Sequence, residues 1–254
     1  MPNKLEKLKS LGKGLLHKFV EQQFHFRPYL KPLSIRDLNA VFYYGTPQAS
    51  EWYDPIKPYA LLEYNWVLEN IELKNKKIID GGCHHGQYSV VLAKGSGNTA
   101  ELVAVDPFPM NCLLTNINRC LNDLNFKILE KAISEKETTL FFSDQSNGHL
   151  TSNGKLKVES TTLYNIMPDA EIIKLDVEGE EFKIIPNDIE RMSKVTTWIV
   201  EVHPSNQRIP DDLIKVFLNN NYEIFWINRE NNQVEKYNLN SEWRSHSTVF
   251  CLKR

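Results

Sequence analysis

Five short apolar runs recur between Lys77 and His203: Lys77–Gly81, Leu102–Asp106, Phe126–Lys131, Ile172–Asp176 and Trp198–His203. Helically spaced stretches, Gln87–Ala93, Met110–Leu121, Glu181–Arg191 and Pro210–Asn220, separate or follow most of them. Near-continuous Ile and Val runs suit strands buried on both faces, and parallel neighbours need a crossover that the helical stretches supply. The alternation predicts an α/β fold, a mostly parallel sheet with helices on both faces. The tail breaks the pattern. Tyr222–Asn228 and Ser247–Leu252 are joined by the polar stretch Arg229–Arg244, too short and too polar for a crossover helix, so the last strand is predicted antiparallel. Thr138–Phe142 and Lys155–Thr162, around Ser143–Gly154, read as a hairpin inserted between the third and fourth runs.

Upstream the chain changes character near residue 75, which divides an N-terminal arm or lid (residues 1–75) from a ligand-binding domain (residues 76–254). Leu5, Leu8, Leu11, Leu15, Leu16 and Phe19 recur at helical spacing beside Lys4, Lys7, Lys9, Lys13 and Lys18, with Glu6 as the one acid, so residues 1–20 read as a basic amphipathic helix. Such a helix packs on the domain or docks on a membrane surface or partner. Residues 24–60 are rich in aromatics and proline, a poor pattern for long regular structure, and read as a lid over a substrate or an arm covering the core.

Composition removes other classes. With 254 residues, 41% hydrophobic and a net charge of −2, the chain is neither disordered nor generally basic, which excludes a nucleic-acid binder of the usual kind. The near-neutrality is a cancellation: residues 1–20 carry +4, leaving −6 on the remainder. No apolar stretch approaches the roughly 18 residues of a membrane span, and no secretory signal is apparent, so the expected location is cytoplasmic, with peripheral membrane contact through residues 1–20 as the variant. Cys83, Cys112, Cys120 and Cys251 lack C-x-x-C spacing and read as reduced thiols.

The chemistry concentrates at strand ends. The first run leads into Asp80-Gly81-Gly82-Cys83-His84-His85-Gly86, where glycines let backbone approach a ligand at the carboxyl end of a parallel strand. It is not the G-x-G-x-x-G dinucleotide fingerprint, since Asp80 takes the first glycine position. A carboxylate there repels a pyrophosphate and suits a cationic ligand such as S-adenosylmethionine. Asp106, followed by Pro107, ends the second run where an acid can accept both ribose hydroxyls. Asp176 ends the fourth run at the topological switch point and is a candidate general base, ligand to a divalent cation, or support for the cofactor's methionine end; Lys174 shares its face. Glu178 follows, and Glu201 and His203 share one face of the fifth run, His203 as a possible proton acceptor near its ordinary pKa. His84 and His85 are expected to point apart in a tight loop, and one of them, His84 or His85, reads as a cofactor contact; no metal site is assigned there.

Together these blocks resemble the FkbM family of S-adenosylmethionine-dependent methyltransferases, over about Lys77 to Leu252. The resemblance rests on Asp80-Gly81-Gly82 with Gly86, Asp106-Pro107, Ala132-Ile133-Ser134, Glu201-Val202-His203 and above all Lys174-Leu175-Asp176-Val177-Glu178-Gly179-Glu180-Glu181. It implies the class I methyltransferase (Rossmann-like) fold, seven strands with an antiparallel last one, and O-methylation of a sugar, glycan or natural-product hydroxyl. On that fold the cofactor is expected on Asp80, Gly81, Gly82, His84, Gly86, Asp106, Pro107, Ala132, Ile133 and Asp176, and the strand-end reading puts catalysis on Asp176 as base or cation ligand, with Glu178, Glu201 and His203 as second candidates. Cys83-His84-His85, Leu163-Tyr164 and Asn221-Tyr222 depart from the family's usual residues. Two other readings stay open on the same fold: an NAD- or nucleotide-binding oxidoreductase, and a non-catalytic docking protein.

Overall fold

The computed structural model describes residues 26–142, 154, 156–238 and 247–254; the predicted basic helix of residues 1–20 and most of the loop 143–154 lie outside them. The chain opens with a hairpin, β1 (Tyr29–Ile35) and β2 (Leu38–Tyr44), paired from Tyr29↔Tyr44 to Ile35↔Leu38. The elements over residues 29–53 are short, seven residues each, where the sequence argued against long regular structure. Leu33 and Ile35 alternate inward, Arg36 takes the left-handed conformation that a two-residue turn needs, and Pro32 is tolerated because neither strand of a two-stranded sheet is central. Helices α1 (Pro47–Tyr53) and α2 (Pro58–Asn70) follow, α1 capped by the Thr46 hydroxyl accepting from Ala49 N at 3.1 Å.

The alternating region supplies β3 (Lys77–Gly81), α3 (Gln87–Gly95), β4 (Glu101–Asp106), α4 (Pro109–Leu121) and β5 (Lys127–Glu130). An insertion holds β6 (Ala132–Ile133), β7 (Thr139–Phe142) and β8 (Leu156–Thr161), then come α5 (Leu163–Ile166), β9 (Ile172–Leu175), α6 (Glu181–Asp188), β10 (Thr197–Val202) and α7 (Pro210–Asn219). The tail is β11 (Tyr222–Asn228), β12 (Gln233–Lys236) and β13 (Ser247–Lys253).

The main sheet runs β12-β11-β13-β10-β9-β3-β4-β5. Strands β10, β9, β3, β4 and β5 are parallel, and β13 is antiparallel to both β10 and β11, as the tail predicted. There is one strand more than the seven expected: within the stretch read as a polar connector, Gln233–Lys236 pairs antiparallel with β11. Its single apolar residue, Val234, hid it, and a polar composition is what a sheet edge tolerates. The predicted insertion hairpin is β7 against β8, with β6 added parallel to β8 in a separate three-stranded sheet.

Strand alternation divides the core. Ile79, Ile173 and Val200 point to one face, where α6 and α7 bring Ile184, Ile185, Leu213 and Phe217. Ile78, Ile172 and Ile199 point to the other, packed with Val90 and Leu92 of α3, Tyr64 and Val67 of α2, and Phe42 and Tyr44 of β2. The N-terminal hairpin thus shares a core with the sheet. Each fully buried isoleucine contributes about 1.5–3 kcal/mol, so both layers are strongly held. Because β4 lies on one side of β3 and β9 on the other, the carboxyl ends of these strands open a crevice.

Candidate active site

Backbone geometry forms the crevice first. Gly82, just beyond β3, has φ +72°, and a Cβ there would stand 1.7 Å from the carbonyl oxygen of Asp176, so the ends of β3 and β9 touch backbone to backbone. Gly82 N and Cys83 N donate to Val105 O at 2.9 and 3.0 Å, and Asp176 N donates to Gly81 O at 2.9 Å. These bonds tie three strand ends together beside a cavity of about 520 Å³, within the range of small-molecule sites.

At the β4 end, Asp106 Oδ1 accepts from Phe108 N and Asn111 Nδ2, and Oδ2 accepts from His84 N, all at 2.9 Å. Burial pushes the Asp106 carboxyl up to about 7 despite those donors. His84, with φ +49°, places its ring 3.8 Å from that of His85 and 5.1 Å from that of Trp52, and its Nδ1 lies 2.7 Å from Tyr53 Oη. Burial holds both histidines well below their ordinary range, His85 at about 3, so both rings are neutral.

At the β9 end, Lys174 Nζ lies 3.6 Å from Asp80 Oδ1 and 3.6 Å from Asp176 Oδ2, and donates to Gly82 O at 3.2 Å. Burial works against its charge, but Asp176, Asp80, Glu63 and Glu201 outweigh it and hold the ammonium above its ordinary pKa. Past Asp176 the chain turns back through Glu178 (φ +52°) and Gly179 (φ +99°) into α6. Glu181, fully buried, accepts from Gly179 N at 2.8 Å and from His203 N at 2.7 Å. His203 Nε2 then stands 3.7 Å from both Asp176 Oδ1 and Glu178 Oε2, and its Nδ1 3.4 Å from Glu181 Oε1. Burial alone would lower the His203 pKa; Glu181, then Asp176 and Glu201, lift it to about 9. The surrounding acids therefore make the imidazole hold its proton more tightly than the sequence reading supposed. Glu201, paired with Arg229 at 3.3 Å, is raised to about 8 by burial, Asp176 and Glu63.

Gly82, His84, Asp106, Pro107, Ala132, Ile133, Asp176, Glu178, Glu201 and His203 all line the cavity. Asp80, Gly81 and Gly86 do not. Asp80 is wholly buried, accepting from Ser89 Oγ at 2.5 Å and facing Lys174, so its carboxylate holds the loop and is not presented to a ligand. Gly81 packs under Ile133 and Leu175, and Gly86 against Thr115. The cavity also takes residues that the strand-end reading missed: Glu63, whose carboxylate accepts from Thr248 Oγ1 at 2.8 Å and is raised by burial, and Trp52, Tyr53, Tyr59 and Tyr88. Glu63 left one signal, an acid among the helix-spaced apolar residues Leu61, Leu62, Trp66 and Val67.

Comparison with known proteins agrees with this geometry. Residues 80–224, more than half of the chain, match the methyltransferase FkbM domain. The methyltransferase FkbM of Methylobacillus flagellatus superposes with a TM-score of 0.50 at 14% identity, over 81% of this chain and 50% of that one. The 16S rRNA N2 G1207 methyltransferase of T. thermophilus gives 0.52 at 13%, over 89% and 51%. A SAM-dependent methyltransferase of Agrobacterium tumefaciens gives 0.51 at 11%, over 88% and 70%. At these identities the likeness is one of fold, and the chain spans about half the length of the first two structures. No curated protein matches the sequence.

Proposed function

Since the chain belongs to the FkbM methyltransferase family, with the fold of S-adenosylmethionine-dependent methyltransferases, we propose that it methylates a hydroxyl of a sugar, glycan or natural-product acceptor. The observation that carries this reading is a single cavity with Asp106 at one end and Asp176 at the other, on either side of the point where strand order reverses. The residues fit the cofactor. Asp106 is a buried carboxylate with both oxygens oriented by N–H donors and facing the cavity, as a ribose diol requires. The carboxyl groups of Glu63 and Glu201 face the same space; burial raises both, and an ammonium entering beside them would favour their ionised form and pair with it. The loop after β3 lacks the G-x-G-x-x-G fingerprint that cradles a dinucleotide's pyrophosphate, which disfavours an NAD-dependent oxidoreductase.

When bound, S-adenosylmethionine supplies a methyl group on a cationic sulfur. Asp106 holds the ribose end. Asp176, flanked by Lys174 and His203, presents a carboxylate to the acceptor hydroxyl and orients its O–H. Trp52 and Tyr59 offer ring faces against which a sugar can stack, and Arg229 sits 4.2 Å over the Tyr59 ring to fix it. Alignment of acceptor and methyl group can contribute on the order of 7–11 kcal/mol. Proton removal by a positioned base adds about 10²–10⁴-fold.

Calorimetric titration with S-adenosylmethionine, S-adenosylhomocysteine and NAD tests the cofactor. Saturable binding of both adenosyl ligands and none of NAD is expected; NAD binding without adenosyl binding would remove the reading.

A further inference from the structure

We propose that Asp176, Glu178 and His203 form a binding site for one divalent first-row transition cation at the edge of the cavity. One donor atom from each of the three lies within 4.8 Å of the other two. An ion with bonds of about 2.1 Å sets neighbouring ligands about 3 Å apart, so the 3.7 Å separations from His203 Nε2 need to close by less than an ångström.

A second observation, from outside the cluster, concerns the imidazole. Fully buried Glu181 accepts from the His203 backbone N–H at 2.7 Å and lies 3.4 Å from Nδ1, which aims Nε2 at the two carboxylates. Histidine ligands to metals are typically oriented in this way, by a carboxylate on the far ring nitrogen, and an entering cation takes the place of the proton that Nε2 otherwise shares with Asp176 and Glu178. Lys174 engages Oδ2 of Asp176 and leaves Oδ1 on the His203 side. One imidazole with two carboxylates suits Mn²⁺, Fe²⁺ or Zn²⁺ better than Ca²⁺ or Mg²⁺, which prefer oxygen alone. All three residues line the cavity, so coordination positions left over by the protein face the space an acceptor enters, where a cation acts as a Lewis acid. The inference deepens the proposed function and rests on it for that last step, but cation binding stands or falls without methyl transfer.

The test titrates the full chain with Mn²⁺, reading free ion by electron paramagnetic resonance, with S-adenosylhomocysteine calorimetry run on the same samples. One saturable site is expected, displaced by Zn²⁺. E178Q and H203Q should each weaken it at least about tenfold while still binding S-adenosylhomocysteine. E180Q, which removes an equal charge from the same loop, should leave it unchanged. Absence of saturable Mn²⁺ and Zn²⁺ binding, or equal weakening by all three substitutions, would overturn the site. Mn²⁺ binding by a chain that does not bind S-adenosylhomocysteine would keep the site and remove the methyltransferase reading.

Discussion

Lys174 Nζ lies 3.6 Å from Asp80 Oδ1, and both side chains are inside the protein, 8% and 0% exposed. The same ammonium reaches Asp176 and the carbonyl of Gly82, so one buried cation joins the loop after β3 to the end of β9. The strand-end acids are sustained by a charge beneath them.

Replacing Lys174 with Met should therefore let the protein unfold more easily, by about 3–5 kcal/mol at neutral pH, because it leaves the buried Asp80 carboxylate with the Ser89 hydroxyl but no counter-charge. Burial already raises the Asp80 pKa above its ordinary value even with Lys174 present. A carboxyl with a folded pKa above its unfolded one stabilises the fold increasingly as pH falls. The deficit of the variant should shrink on acidification. Urea denaturation at several pH values checks this, and an unchanged midpoint at neutral pH would contradict it.

Asp106 predicts two opposite pH dependences. With its carboxyl at about 7, ionisation is needed to accept ribose hydroxyls, so S-adenosylhomocysteine affinity should fall by up to about tenfold per pH unit below 7. The ligand-free fold should meanwhile gain stability as pH drops through 7 toward the ordinary carboxylate range, since the folded state binds the extra proton. Neighbouring His84 and Lys174 keep one charge state across that window, held low by burial and high by nearby acids respectively. Glu201 titrates at about 8, so comparison with D106N isolates the Asp106 contribution. Calorimetry and thermal melts between pH 5.5 and 8 should show both trends, flattened in D106N.

The parallel strands were legible because Ile78-Ile79 and Ile172-Ile173 must be apolar on both faces, and acids at their ends stand out against that background. The N-terminal hairpin was not, because Pro32 and clustered aromatics mimic an irregular segment until Leu33 and Ile35 are seen packing inward. Charge states were not legible either. Asp80 and Asp106 end adjacent strands alike, yet Lys174 and Ser89 occupy the first while the second faces the cavity. Lys174 is distant from Asp80 in sequence, as Glu181 is from His203, and only the fold brings each pair together.

Gly82 should be intolerant of a side chain. A Cβ would collide with the Asp176 carbonyl at 1.7 Å, whereas Gly97, also at positive φ (+65°), has nothing within 4 Å. G97A should cost about 1–2 kcal/mol from its backbone alone. G82A should cost more and weaken S-adenosylhomocysteine binding as the Asp176 loop shifts. Thermal melts and calorimetry on both variants decide this; equal behaviour would show that the strand ends are not in contact.

The most direct test incubates wild type and D176N with methyl-labelled S-adenosylmethionine and fractionated cell extract, and follows the label. The expected result is label in a small-molecule or glycan fraction as a methyl ether, abolished in D176N while S-adenosylhomocysteine binding by that variant persists. Label in nucleic acid or protein, or undiminished transfer by D176N, would contradict it.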